Sequence, residues 1–260
     1  MLTGESAVCR AGLDAVAVKP AECDVSNASN VPVDTVAVDY EGREHLPDRR
    51  TLAALARDSE VLVTTPVRAD GFDPLGDDSL LATLPEGVGR VLVAGHPAYL
   101  TEAERERAVA PRLGAALETA PEAWVGTESV ERIAMATGAT QYDLLSRSTE
   151  RELRAIRAAG FDGDVAVYAP TVLTDDEDTV LDAVGAYVAR RRPVADALPD
   201  GAPTDSSAAG RAREVLLAAA SDYALVGTAR EVRERVDVLR AAGATTVVGY
   251  PARGLGSFLD

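Results

Sequence analysis

The chain has 260 residues and a formal net charge of −16, because 42 Asp and Glu outweigh 26 Lys and Arg. Such acidity disfavours binding to nucleic acid and to anionic membranes. No apolar run approaches the ~20 residues that a membrane-spanning helix needs, and the first ten residues lack the basic and apolar regions of a signal peptide. We therefore expect a soluble cytoplasmic protein.

Lysine is almost absent from the chain: Lys19 is the only one, and every other basic side chain is an arginine. An acidic chain with so little lysine resembles proteins from the cytoplasm of salt-loving archaea, where molar salt screens the self-repulsion. A high-GC genome also favours arginine codons but does not by itself produce this acidity, so we prefer the halophilic interpretation. The two cysteines, Cys9 and Cys23, have neither metal-site spacing nor a disulfide framework, and we expect no metal.

Eight short apolar segments are predicted to be strands. They lack the alternation of half-exposed strands, which is typical of parallel strands buried on both faces. Three of them follow the same pattern, in which a helix ends, a glycine stops it, and a Val-rich strand closes near a proline. In chain order the predicted strands are 15–20, 35–40, 60–66, 90–97, 123–129, 142–148, 164–170 and 245–251.

Helical patterns lie between most of these strands. Thr101 is predicted to cap one helix, and Thr149 with Glu152 is predicted to form a capping box that starts another. Two later helices run from acidic to basic residues, which matches the helix dipole. The predicted helical segments are 47–59, 101–120, 149–160, 175–192 and 228–243.

Eight parallel strands with crossover helices predict a single (β/α)8 TIM-barrel domain over residues 1–260. An open doubly wound sheet is the alternative, but it usually has fewer strands and a glycine-rich first turn, and the chain has no GxGxxG. Residues 192–210, rich in Pro, Ala, Asp and Ser, are expected to form a flexible excursion between the seventh and eighth strands.

Polar residues end the predicted strands, and the carboxyl ends of barrel strands are where barrel enzymes carry their chemistry. Each such residue is also explained by a strand that simply turns polar where it leaves the core. The strand-end residues are Lys19, Asp39, Tyr40, Thr64, Thr65, His96, Glu128, Ser146, Arg147, Tyr168 and Tyr250.

Three strand ends have particular chemical capacity. The ammonium of Lys19 can bind a phosphate, pair with Asp39, or form a Schiff base if it is desolvated. His96 can exchange protons near neutral pH, or it serves as a polar plug bonded to a loop carbonyl. Arg147 can clamp a carboxylate or phosphate, or it forms a surface ion pair.

These residues divide into two predicted groups. Lys19, Asp39 and His96 are the catalytic candidates. A second group is expected to bind substrate or cofactor, and it comprises Thr65, Glu128, Arg147, Tyr168 and Tyr250.

The loop after the last predicted strand, GYPARGLGS, is a candidate phosphate site. Barrels often bind phosphate after strands seven and eight, using glycine-exposed backbone amides. Arg253, Gly254 and Gly256 fit that role, although glycine-rich loops are also ordinary turns.

The closing segment, VGTAREVRERVDVLRAAGATTVVGYPA, resembles the last unit of the bacterial-luciferase-like barrels. The matching positions include Gly227, Thr228, Val232, Leu239 and Gly243. RRTLAALARDSEVLVTTPV resembles the helix and third strand of that family, and AGLDAVAV resembles an early strand unit of it.

This resemblance implies a barrel, usually a homodimer, that moves a hydride between F420 or FMN and a small organic substrate. His96 would then be the proton donor or acceptor. Two alternatives stay open: a cofactor-free lyase or aldolase acting on a phosphorylated substrate, and a catalytically silent barrel that serves as a binding module.

Overall fold

A computed structural model of the protein describes residues 6–67, 84–94, 102, 106, 108–126 and 135–259. Eight strands pair in parallel around a closed barrel, as predicted. The barrel order is β1 (Ala15–Val18), β2 (Thr35–Val38), β3 (Glu60–Val67), β4 (Val88–Ala94), β5 (Trp124–Gly126), β6 (Gln141–Leu144), β7 (Val165–Val172) and β9 (Thr246–Pro251), which returns to β1. A two-residue strand outside the barrel, β8 (Leu225–Val226), pairs with the end of β7.

Helices surround the barrel, and the largest apolar cluster fills the space between them and the outer faces of the strands. Val16, Val36 and Val247 from the strands meet Leu52 and Leu239 from the helices in that cluster. The helices are α1 (Ala7–Ala11), α2 (Arg49–Leu55), α3 (Val109–Thr119), α4 (Thr149–Ala158), α5 (Glu177–Ala189), α6 (Arg192–Ala195), α7 (Gly210–Tyr223), α8 (Ala229–Ala242) and α9 (Gly256–Leu259), with a 3₁₀ helix at Val25–Asn30.

Helix boundaries follow local capping chemistry, with one correction to the sequence prediction. Helix α8 begins at a complete capping box between Thr228 and Glu231. The box predicted for Thr149 and Glu152 is wrong, because Thr149 is already the first helical residue and its hydroxyl accepts the N–H of Ser146 at 2.8 Å. The predicted cap Thr101 lies outside the described residues.

The barrel interior is filled by small residues on one side and rings on the other. Alternate residues of parallel barrel strands point inwards. Ala15, Ala17 and Ala37 therefore leave room for Tyr142 and Tyr168 from the opposite strands, and all five belong to one buried cluster. The interior is packed at its base and widens towards the carboxyl ends of the strands.

Residues 173–224, between β7 and β8, form a helical unit that we call the cap. Helices α5 and α7 pack against each other, and Val180, Val184 and Ala220 fix them to the end of β7. Within 192–210 the chain forms α6, and the N–H of Ser206 donates to Asp182 at 2.8 Å. That residues 192–210 form a flexible excursion stays a prediction.

Within the described ranges, no helix combines the length and the apolar character needed to cross a membrane.

Candidate active site at the barrel mouth

A cavity of about 530 Å³ lies at the carboxyl ends of the barrel strands, between the barrel and the cap. Residues in or directly after each of the seven strands β1 to β7 line it, and the end of α5 lines it from the cap side. The residues used below are Lys19, Asp39, Thr64, Tyr142 and Tyr168 from the strands, and Tyr187, Arg190 and Arg191 from the cap.

Aromatic rings run in a row around this end of the barrel. The ring centroids of Tyr142 and Tyr168 are 5.8 Å apart, and Tyr168 stacks on Tyr250 at 6.3 Å with 14° between the ring planes. Trp124 extends the row on the other side, 6.0 Å from Tyr142. The hydroxyl of Tyr142 is buried and has no hydrogen-bond partner within the described residues. The row offers planar apolar surface together with an unused donor.

The side chain of Lys19 lies at the mouth of the barrel and forms an ion pair there with a carboxylate. Its Nζ lies 4.4 Å from the ring centroid of Tyr250 and 3.4 Å from Oε1 of Glu22. Tyr250 donates its hydroxyl hydrogen to the same Glu22 carboxylate. Within the described residues the ion pair of Lys19 is therefore with Glu22 and not with Asp39, one possible partner suggested by the sequence. The ion pair and the ring face both stabilise the charged ammonium.

Asp39 lies at the end of β2, beside β1. Burial raises its pKa from 3.8 to about 7; Lys19 opposes this rise, while Glu41 and Glu22 add to it. Both protonation states are then populated near neutral pH, which suits a group that donates and accepts protons. Burial, with a smaller effect from Asp39, raises the pKa of Tyr142 and of Tyr168 well above the usual range, so both tyrosines stay protonated.

The structure brings together only some of the predicted site residues. Lys19, Asp39 and Tyr168 line the cavity, and Tyr250 stacks beside them. Thr65 does not face the cavity: it is fully buried and accepts a hydrogen bond from Arg90 at 3.1 Å. Side chains alternate along a strand, so the preceding residue, Thr64, lines the cavity instead.

Arg147 is not brought to this cavity. It is exposed and lines a second, smaller groove of about 230 Å³ with Pro193, Arg211 and Glu214. Arg147 lies in the loop from β6 to α4, and the other residues of this groove belong to the cap helices α6 and α7.

The predicted phosphate loop lies at the correct end of the barrel but does not line the cavity. Arg253 is exposed there. Gly254 adopts φ +83° in a turn, and its N–H donates to Pro251 at 2.8 Å, so that amide is already satisfied. The following helix, α9, which contains Gly256, has only four residues. His96 and Glu128 lie outside the described residues.

Sequence reasoning missed Tyr142, Tyr187, Arg190 and Arg191. Tyr142 was placed at the start of the sixth strand, but its pairing with Gly126 and Ala166 puts it level with the inward-facing residues near the mouth. The acidic-to-basic pattern of α5 matches the helix dipole and does not by itself predict a site at the arginines that follow the helix. Their position at a helix end that lies over the barrel depends on how the cap packs on the barrel, which the sequence pattern does not give.

The closed barrel with a polar, capped mouth defines a protein of the TIM-barrel class. The fold is similar to that of an F420-dependent secondary alcohol dehydrogenase solved with an F420-acetone adduct, with 14% identity, a TM-score of 0.54, and coverage of 92% of this chain and 93% of that one. It is also similar to the monooxygenase RslO1 from Streptomyces bottropensis, with 17% identity, a TM-score of 0.53 and 91% coverage of each chain.

A family model matches residues 8–258, and the chain belongs to that family, a family of unknown function, DUF7388. No curated protein matches the sequence.

Proposed function

We propose that this protein is a luciferase-like oxidoreductase that transfers a hydride between F420 or FMN and a small organic substrate. The observation that carries the proposal is the cavity at the barrel mouth, which Tyr168, stacked on Tyr250, lines together with Asp39, whose pKa is raised to about 7. Two oxidoreductases share the fold, one of which is F420-dependent.

The residues of the cavity fit a planar cofactor. Ligand sites usually enclose about 300–1,000 Å³ and combine apolar walls with a few convergent polar groups. The cavity volume of about 530 Å³ falls in that range. Tyr168, which lines the cavity and is stacked on Tyr250, would stack on a ring system, and the unpartnered hydroxyl of Tyr142 would donate to a polar atom. When bound, F420 or FMN supplies the hydride chemistry that side chains lack.

Asp39 is our candidate for the proton that accompanies hydride transfer to or from an alcohol or carbonyl carbon. As a carboxylate it accepts a hydroxyl proton, and as a carboxylic acid it returns one to the oxygen of a carbonyl compound. Lys19 lies close enough to lower its pKa and so keeps the carboxylate form accessible. His96 stays a predicted second proton-exchanging group.

The cofactor-free lyase is less well supported. A Schiff base requires a neutral amine, whereas the Glu22 carboxylate and the Tyr250 ring both stabilise the ammonium of Lys19. We also propose, from the resemblance, that the active form is a cytoplasmic homodimer.

The test is a turnover assay. Protein is mixed with F420 or FMN and a panel of small alcohols and ketones, and the redox state of the cofactor is followed by absorbance. We expect turnover with one cofactor, and we expect Asp39→Asn to lower kcat at least about 100-fold while cofactor binding is retained, since proton transfer typically contributes 10²–10⁴. Turnover unaffected by Asp39→Asn would remove Asp39 from the mechanism, and cofactor-independent cleavage of a phosphorylated substrate would favour the lyase.

A further inference from the structure

Two arginines of the cap line the cavity without a carboxylate partner. Arg190 follows the last residue of α5, and Arg191 is its neighbour. Within the described residues neither guanidinium forms an ion pair, although acidic residues outnumber basic ones by 42 to 26 in the chain. Arg213, elsewhere on the cap, instead pairs with both Glu177 and Asp178 at 2.8 Å.

Arg191 is held in place by aromatic contacts. Its guanidinium carbon lies 4.7 Å from the ring centroid of Tyr187 and 5.7 Å from that of Tyr223, and it donates to the Tyr187 hydroxyl. Stacking of this kind fixes the planar guanidinium group of Arg191 and leaves its positive charge unneutralised. A guanidinium group that is already fixed at a cavity wall loses little conformational entropy when it binds an oxyanion.

Charge is divided across the cavity. The carboxyl groups of Asp39 and Glu41 lie on the β2 side, and the arginines lie on the cap side. The negative end of the α5 dipole stabilises any nearby cation and so explains part of the arginine run. It does not explain why Arg190 and Arg191 lie on the cavity wall, since Arg192, the next residue of the run, does not line the cavity.

We propose that Arg190 and Arg191 form an anion subsite, which binds a phosphate or carboxylate group of a ligand whose reacting part lies beside Asp39. The anion site itself follows from the unpaired arginines, whereas its place in a hydride-transfer reaction rests on the proposed function. The group belongs either to the substrate, which would then be an anionic alcohol or carbonyl compound, or to the cofactor.

The experiment uses inorganic phosphate and acetate as probes, titrated calorimetrically into the full chain without cofactor. We expect one of them to bind the wild type, and we expect Arg190→Gln/Arg191→Gln to weaken that binding at least about tenfold, since each charge-assisted contact contributes substantially. Arg192→Gln is the matched control and should change binding less than about twofold. Thermal unfolding verifies that each variant is folded, and the two single variants replace the double variant if it is not.

Competition with F420 and with FMN identifies the source of the anion. If the probe and the cofactor bind together, the anion belongs to the substrate; if they exclude each other, it belongs to the cofactor. Probe binding that persists when neither cofactor binds would support the subsite and contradict the proposed function. The subsite is overturned if neither probe binds the wild type, or if Arg192→Gln weakens binding as much as the double variant.

Discussion

At the level of single residues, the pKa of Asp39 has a consequence for stability. A folded-state pKa of about 7, raised from 3.8, means that folding favours the neutral carboxyl. The contribution of this group to stability is then complete below about pH 4 and is lost as the pH rises through about 7. Asparagine resembles the neutral form at every pH.

We therefore expect Asp39→Asn to match the wild type in free energy of unfolding near pH 4 and to exceed it increasingly up to pH 8. The upper limit is roughly 4 kcal/mol, from about 1.4 kcal/mol for each pK unit. Chemical denaturation at a series of pH values measures the difference, in which the titration of all other carboxylates cancels. A difference that does not change with pH would contradict the burial of this carboxyl.

Lys19 is the cation that opposes the raised pKa of Asp39. Lys19→Met removes the charge while keeping an apolar stem, so we expect the pKa of Asp39 to rise further above 7. Lys19→Arg keeps the charge and should leave the pKa closer to its wild-type value. Carboxyl carbon NMR titration follows Asp39 directly, and an equal or lower pKa in Lys19→Met would show that the two groups are not coupled.

At the level of elements, the seating of α5 in the cap depends on a glycine. A Cβ on Gly185 would overlap the backbone oxygen of Thr204, which cannot rotate away as a flexible side chain does. We expect Gly185→Ala to lower the free energy of unfolding by about 1–3 kcal/mol, the usual cost of overpacking.

Gly114 in α3 provides the matched control, since a Cβ there would meet nothing within 4 Å. Gly114→Ala should raise the free energy of unfolding by about 0.5–1 kcal/mol through helix propensity. Equal effects of the two substitutions in thermal or urea unfolding would mean that α5 does not approach residue 204 closely.

The start of α8 at Thr228 was predicted from sequence, and the structure adds the complete Thr228–Glu231 capping box, which was not predicted. Thr149 and Glu152 have the same spacing, yet the hydroxyl of Thr149 is taken by the backbone of Ser146. That competition depends on the shape of the preceding loop. For α5, the sequence predicted a helix that runs from acidic to basic residues, but not that its end lies over the barrel mouth.

At the level of the whole molecule, the barrel was predictable because eight continuous apolar strands have few other ways to bury both faces. The convergence of Lys19, Asp39 and Tyr168 follows directly from that closure. Predicting which of Thr64 and Thr65 faces inwards would have needed the strand register. Predicting that Arg190 and Arg191 line the cavity would have needed the position of the cap. These features depend on contacts between segments far apart in the chain.

The net charge of −16 makes a separate prediction for the whole chain, and halophilic origin itself stays a prediction. Screening weakens repulsion between like charges, since the Debye length falls from about 10 Å at 0.1 M salt to about 3 Å at 1 M. We expect Tm to rise between 0.1 M and 2 M KCl by more than it rises in sucrose at equal osmolality. A Tm that is flat or falling in KCl would contradict this.

The central claim is that the barrel mouth binds a redox cofactor, and fluorescence titration with F420 and with FMN tests it most directly. The account predicts saturable binding of one of them, weakened at least about tenfold in Tyr168→Leu, since stacking on one aromatic contributes about 1–3 kcal/mol in comparable base-stacking sites. Phe161→Leu, in the loop before β7 at the opposite end of the barrel, should bind like the wild type. Absence of binding by both cofactors, or equal binding by the two variants, would contradict the claim.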